Sequence, residues 1–403
     1  MECQDYFSFV SAGEILFGKG CLGHLPRVLR TRVKATKPLV ISDPGVVAGG
    51  LLEPVYESLN QDTIPFEKFE ETEQEPSLSN VLACVEANKS KGCDCVVAIG
   101  GGSVIDLGKA VAVVLKFGGN IRDYFGQEAV PGEPLPIVAS PTTAGTGSEV
   151  TAGAILSDVE NDTKVGIRSN WLRPRVALVD PESTYGCPKV VTANAGFDVL
   201  AHAVESFTMA ESTWMPKGTV IFHGSNPISE PLAVSAIELV GRYLSLVVHQ
   251  GNNREAREHM MMASLLAGLA FSNSGVTDTH MITYPVGTRT HAPHGALLAP
   301  LLPVVLEYNL PTRKAKLARV ARLLGENTDG LSEREAALKG IEAIRTLIKE
   351  IQLPTTLREL GLDKADIPAM ADQILPVLRA LPMNPRAMQR DDLIGIYNQA
   401  YEG

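Results

Sequence analysis

Basic charge is in short supply in this sequence. Its 36 lysines and arginines stand against 46 aspartates and glutamates, a formal net charge of -10. Phosphate backbones and anionic membranes select basic surfaces, so nucleic acid and membrane lipid are poor partners for this chain. Cysteine is sparse as well. Cys3, Cys21, Cys84, Cys93, Cys95 and Cys187 are scattered, and only Cys93 and Cys95 stand close, at a C-x-C spacing. Neither a disulfide framework nor a zinc ribbon is legible in that pattern. Long apolar runs are missing too: no stretch approaches the roughly 18 to 20 apolar residues of a membrane span. The first residues, Met1 to Tyr6, show no basic region followed by an apolar core, so the cytoplasm is the expected compartment. Internal repeats and low-complexity segments are also lacking.

What is present is ordinary globular composition: 403 residues, 45% hydrophobic and 20% charged, enough for two domains with separate cores. Short Val- and Ile-rich runs punctuate the first half: Pro38 to Ile41, Cys95 to Ile99, Leu135 to Ala139 and Val176 to Val179. Such runs suit strands covered on both faces. Helical patterns lie between them, over Gly49 to Leu59, Leu78 to Ser90 and Val104 to Phe117. Strands alternating with helices predict a doubly wound parallel sheet. After about Cys187 amphipathic stretches take over, at Pro231 to Val248, Glu255 to Ala270, Arg313 to Leu324 and Ser332 to Ile351. The expected organisation is an α/β domain over residues 1–187 and an all-α domain over residues 188–403.

Three turns of the first domain invite a nucleotide. The strand ending in Gly100, Gly101 and Gly102 runs into a helix, with Ser103 expected as its N-cap and Asp106 three positions on in a capping-box-like arrangement. Glycine lets backbone approach a ligand closely, and free N–H groups at a helix start favour an anion such as a pyrophosphate. A plain tight connection reads the same way, and the strict G-x-G-x-x-G spacing is absent. The second turn, Pro141 to Glu149, carries four hydroxyls, Thr142, Thr143, Thr146 and Ser148, able to bond sugar hydroxyls and a carboxamide, or simply to face solvent. Third, Asp43 closes its strand, where a carboxylate accepts from ribose hydroxyls and repels the extra phosphate of NADP. Alternatively it initiates an Asp-Pro turn.

Seven of the eight histidines fall between positions 202 and 294. Asp198 and His202 stand four apart on a largely apolar helical stretch and so share one face. They suit either metal binding or a buried Asp-His hydrogen bond. His280 and His294 would stand roughly 21 Å apart in one unbroken helix, but Pro285, Gly287 and Pro293 let the chain turn back. One carboxylate and three imidazoles suit Fe(II) or Zn(II) and can leave a position open for a substrate oxygen. His291 reads as a proton donor near the site or as a loop histidine, while His24, His223, His249 and His259 read as surface or locally satisfied residues.

Gly100 to Asp106, the Pro141 to Thr151 turn, the Gly196 to Glu205 helix, and Pro293-His294-Gly295 with Leu301-Leu302-Pro303 together resemble the iron-containing (group III) alcohol dehydrogenases. The resemblance runs from Phe17-Gly18-Lys19-Gly20 to the last helices. It implies an N-terminal NAD-binding domain, a C-terminal helical metal-binding domain and an active site in the cleft between, a plan similar to dehydroquinate synthase-like proteins. It also implies a metal on Asp198, His202, His280 and His294, cofactor contacts at Gly101, Gly102, Ser103, Asp106, Thr142, Thr143, Thr146 and Ser148, and Lys164 near the nicotinamide ribose. Asp43 matches the acidic residue associated with NAD, and a homodimer or larger homo-oligomer is implied. The expected reaction interconverts an alcohol or hydroxy acid with its aldehyde or oxo acid.

Two departures stand out. Tyr284 sits where many members have a further histidine for proton transfer, which leaves Tyr284 or His291 to carry the proton. The Phe207 to Glu230 segment and the His280 to Pro285 stretch look like the hydroxyacid-oxoacid transhydrogenase branch, in which NAD stays bound and Arg289 would pair with a substrate carboxylate. Glu75 also precedes Pro76 where Asn is common. A sugar-phosphate cyclase would need a Lys and Arg cluster that is missing near these motifs, and a scaffold would have no use for a full ligand set.

Overall fold

The computed structural model describes residues 5–161 and 163–403. They divide into two compact units, Val10–Cys187, and Pro188–Gly403 grouped with residues 5–9.

In chain order the first unit holds β1 (Glu14–Phe17), α1 (Leu25–Val28), β2 (Pro38–Ile41), α2 (Pro44–Ala48), α3 (Glu53–Gln61), β3 (Glu67–Phe69), α4 (Leu78–Asn88), β4 (Cys95–Gly100) and α5 (Gly102–Phe117). Then come β5 (Gly126–Gln127), β6 (Ile137–Pro141), β7 (Gly153–Asp158), β8 (Thr163–Arg168) and β9 (Val176–Val179). Six strands make one sheet in the order β1-β9-β6-β4-β2-β3, and every pairing in it is parallel. Alternation along β4 feeds two cores. Cys95, Val97 and Ile99 pack with Leu25, Leu29 and Leu59 on one side; Val96 and Ala98 pack with α4 and α5 residues such as Val81 and Leu107 on the other. Covering both faces is what makes the strands uniformly apolar.

The chain leaves β2 toward β3 on one side but leaves β4 toward β6 on the other. Outgoing connections therefore diverge between β2 and β4, and in open parallel sheets that is where ligands settle, beyond the carboxyl ends of the strands. Asp43 and Gly101 follow those two strands, and Gly100 is in register with Pro141 on the neighbouring β6.

Two expectations fail in detail. The helix expected over Gly49 to Leu59 begins only at Glu53, as α3, because Gly50 adopts φ 72° and separates it from α2, which ends at Ala48. A small sheet of β5, β8 and β7 was not foreseen; its β7–β8 pair is antiparallel, and Gly153, Gly166 and charged Lys164 and Arg168 dilute its apolar alternation.

The regular elements of the second unit are helices: α6 (Lys189–Thr208), α7 (Ser229–His249), α8 (Arg254–Ser274), α9 (Asp278–Ile282), α10 (Tyr284–Thr290), α11 (His294–Leu323), α12 (Glu333–Glu350), α13 (Ile367–Ala380) and α14 (Arg390–Glu402). α6, α7 and α8 pack on one another, and α11 packs on α12 and α6. Contrary to the sequence reading, α7 is long and apolar enough by length and composition to cross a membrane; here it lies against α6 and α8. Gly275, at φ 98°, ends α8, and the chain swings through 94° into α9 and α10. At the kink in α11, Arg313 donates to Thr208 O at 2.7 Å and Met209 O at 3.0 Å, closing the carbonyl end of α6.

Candidate functional site

In the first unit the Gly-rich turn and the hydroxyl-rich turn face each other. A Cβ on Gly102 would lie 2.6 Å from Thr146 Cγ2, and one on Gly101 would lie 3.6 Å from Thr143 Oγ1. Thr142 N donates to Gly100 O at 3.0 Å. Ser103 is not the N-cap: α5 begins at Gly102, two residues before the expected start, with Gly101 capping through its backbone alone, and the tight approach of Thr146 leaves no room for a side chain on Gly102. Ser103 Oγ instead donates to Gln74 O at 2.6 Å. Asp106 forms no capping box. It accepts from Ser148 Oγ at 2.7 Å and Ile155 N at 2.9 Å, tying the hydroxyl-rich turn to α5. Ser148 thus spends its proton inside the protein, leaving Thr143 and Thr146 the half-buried hydroxyls of the turn. Asp43 caps α2, its Oδ1 accepting from Gly45 N at 2.8 Å and Val46 N at 3.1 Å. Lys164 lies on β8 and pairs with Glu75 at 2.7 Å.

Behind these turns sits a buried ionic group that the sequence reading missed. Lys109, wholly buried, donates to Thr151 O, Thr151 Oγ1 and Gly153 O at 3.0, 2.9 and 2.8 Å, and burial pulls its ammonium down to about 8. Glu149 is also wholly buried, neither carboxylate oxygen has a hydrogen-bond partner, and burial pushes its carboxyl up to about 7.

In the second unit, the chain reversal between α9 and α11 brings His280 and His294 together, with ring centroids 5.3 Å apart. His294 opens α11 after Pro293, and His291 takes the left-handed conformation, φ 51°, that closes α10. One ligand atom from each of Asp198, His280 and His294 lies within 4.8 Å of the others. Asp198 Oδ1 is 3.4 Å from His280 Nε2 and 3.8 Å from His294 Nε2. His202 is not in that trio, but its Nδ1 is 3.5 Å from the same Oδ1. Its ring is sandwiched between Phe271, at 4.0 Å, and His280, at 4.3 Å.

Glu205, the second omission, completes the arrangement. It is wholly buried on α6; Oε1 is 2.5 Å from His280 Nδ1, and Oε2 accepts from Thr277 Oγ1 at 2.6 Å. A carboxylate only accepts, so Nδ1 carries a proton toward Glu205, and Nε2 is the ring nitrogen turned toward Asp198. The signal was available: Glu205 stands seven residues after Asp198 and three after His202, on their helical face. Asp278, buried beside it, has its carboxyl raised to about 8 by burial and by the charge of Glu205.

These residues fit a divalent metal. Asp198 Oδ1 and His280 Nε2 are buried and make no hydrogen bond, a cost that a shared cation removes. Burial opposes a charge on Asp198, yet His202, His280 and His294 hold its carboxyl below the usual range. Burial likewise opposes a charge on His280, but Glu205 and Asp198 push its imidazole up to about 10. The electrostatics of the site thus favour positive charge.

The proton-carrying candidates are less well placed. Tyr284 packs against the apolar core of the second unit, and His291 is exposed. Arg289 does not await a substrate: it donates to Pro285 O at 2.8 Å and Gln373 Oε1 at 3.1 Å, and lies 3.7 Å from Asp366.

Residues 12–181 match the family described as iron-containing alcohol dehydrogenase, and residues 192–401 match its C-terminal counterpart. The 1,3-propanediol dehydrogenase of Citrobacter freundii is 36% identical over 91% of this chain and 91% of its own. The alcohol dehydrogenase structure from Oenococcus oeni superposes with a TM-score of 0.92 at 30% identity, covering 98% of this chain and 100% of its own. A sulfoacetaldehyde reductase from Bifidobacterium kashiwanohense, solved with NAD+, gives 0.82 at 29% identity, covering 98% of this chain and 99% of its own.

Proposed function

This chain belongs to the iron-containing alcohol dehydrogenase family, an NAD-dependent enzyme of that type, and we propose that it interconverts a small primary alcohol or hydroxy acid with the aldehyde or oxo acid. The observation that carries the reading is the convergence of His280 and His294 on the buried, unbonded Oδ1 of Asp198.

In the forward direction the substrate loses its hydroxyl proton to solvent and a hydride from the same carbon to NAD+, leaving a carbonyl, NADH and one proton. Asp198, His202, His280 and His294 would hold the metal, Fe(II) in our reading, which when bound serves as a Lewis acid that lowers the pKa of the alcohol. Glu205 fixes the tautomer of His280. Gly101 and Gly102 admit the dinucleotide pyrophosphate at the start of α5. Thr143 and Thr146 offer hydroxyls to its sugar and carboxamide. Oδ2 of Asp43 takes the adenosine ribose, since the capping bonds use Oδ1. His291, exposed at the end of α10, is the better placed proton carrier.

The test is an anaerobic assay of iron-reconstituted enzyme against alcohols and hydroxy acids, following NADH absorbance with and without an added oxo acid. Free NADH from an alcohol or hydroxy acid alone supports the reading. Consumption of hydroxy acid only when oxo acid is present, with no free NADH, replaces it with a transhydrogenase. A His280→Ala variant that keeps its metal and normal turnover would overturn the ligand assignment.

A further inference from the structure

The loop after β3 is built as a rigid bracket beside the first turn of α5. Asn80 accepts from Glu73 N at 3.1 Å and donates to Glu71 O at 3.0 Å, and Glu73 accepts from Ser77 N at 3.1 Å. On one side the bracket is tied to α5 by the bond from Ser103 Oγ to Gln74 O at 2.6 Å. On the other it is tied to the β7–β8 pair, where Ser157 N donates to Pro76 O at 2.9 Å and Ser77 bridges to Ser157. Glu75 is therefore fixed one residue from a contact with the helix start that favours an anion. Its carboxylate holds Lys164 Nζ at 2.7 Å, with the side chains 48% and 22% exposed.

A lone carboxylate at that place opposes a phosphate-bearing ligand, and a lone lysine attracts one. Paired, they cancel. We propose that Glu75 is an affinity-setting residue for the dinucleotide: by occupying Lys164 it keeps that cation from the cofactor's phosphates, and so weakens retention of NAD and NADH. The inference rests on the reading that this unit binds a dinucleotide. Because NAD+ and NADH both carry the pyrophosphate, Glu75 weakens both, and in a chain with uncovered lysine the reduced cofactor would leave more slowly. The effect is that of one partly exposed charge, about threefold to tenfold in affinity at low salt, and it shrinks as salt screens it.

The experiment is a fluorescence titration of NADH onto the full-length protein, with the wild type, Glu75→Gln, Lys164→Gln and the double variant, at about 20 mM and about 500 mM salt. Glu75→Gln binds NADH about threefold to tenfold more tightly at low salt, and the gain falls at high salt. The loss caused by Lys164→Gln is larger in the Glu75→Gln background than in the wild type, because only there is the lysine released. Equal or weaker binding by a Glu75→Gln variant whose thermal unfolding matches wild type overturns the inference, as do equal Lys164→Gln losses in both backgrounds. If the wild type itself binds no NADH, the dinucleotide reading falls instead, and the inference falls with it.

Discussion

Replacing Glu205 by Gln separates the charge behind His280 from its hydrogen bonds. The carboxylate accepts twice, from His280 Nδ1 and from Thr277 Oγ1. Gln offers one acceptor oxygen and an NH2 group, so Oε1 stays on the imidazole while the Thr277 hydroxyl turns to accept. Packing and bond count survive; the negative charge that makes His280 a stronger donor does not. A carboxylate behind a ligating histidine is worth about 10- to 100-fold in metal affinity, or about 1.4 to 2.7 kcal/mol. Since Gln keeps the bonds, the expected loss is near tenfold; Glu205→Ala, which deletes both and opens a cavity, should reach or exceed the upper figure. Apoenzyme would be titrated with Fe(II) or Zn(II) against a chromophoric chelator, and melting of the metal-free forms would separate affinity from folding. Wild-type affinity in Glu205→Gln refutes the claim that this charge supports the donor set.

Three further outcomes follow from the first unit. Glu149 is raised to about 7 by burial, so its neutral form is the one the folded state prefers. Its contribution is fully present below the unfolded value near 4.5 and is lost as pH rises through about 7; Glu149→Gln should therefore be more stable than wild type above that pH, by up to about 3 kcal/mol, with the gap closing below about 4.5 in chemical denaturation. Gly102→Ala drives a methyl group to within 2.6 Å of Thr146, which should cost about 1 to 3 kcal/mol in the same measurement and weaken NADH binding in a fluorescence titration. Asp43→Asn keeps a competent cap for α2 while removing the charge that repels a 2'-phosphate; the ratio of kcat/KM for NAD+ over NADP+ should fall about tenfold, and an unchanged ratio would remove Asp43 from cofactor choice.

The parallel sheet was legible because β2, β4 and β9 are buried on both faces and spell it in unbroken apolar residues. The β7–β8 pair was not, because two thirds of its positions are only partly buried and two of its residues are glycines. At the proposed metal ligands, spacing put Asp198 and His202 on one face, and the breaks at Pro285 and Pro293 allowed His280 and His294 to meet. The helix start of α11 at His294 was hidden, since three prolines inside that helix resemble loop punctuation and its bend, at Arg313, is tied to the distant Thr208 carbonyl of α6. Glu205 escaped notice because a glutamate on an apolar helix reads as an isolated polar residue until Thr277 and His280, more than seventy positions on, arrive to bond it. Ser103 was misplaced as a cap because the crowding by Thr146 that demands glycine comes from a different strand end.

The four proposed donors come from three separate stretches of chain: Asp198 and His202 from the middle of α6, His280 from a helix of five residues, and His294 from the first position of α11. A five-residue helix has almost no stability of its own. An ion gripping all three stretches would serve as a removable cross-link between distant parts of the chain, in the manner of a reversible staple. The melting temperature of the second unit then becomes a readout of free metal concentration, rising with the logarithm of its ratio to the dissociation constant, and starvation for metal would shorten the lifetime of the protein as well as stop its turnover.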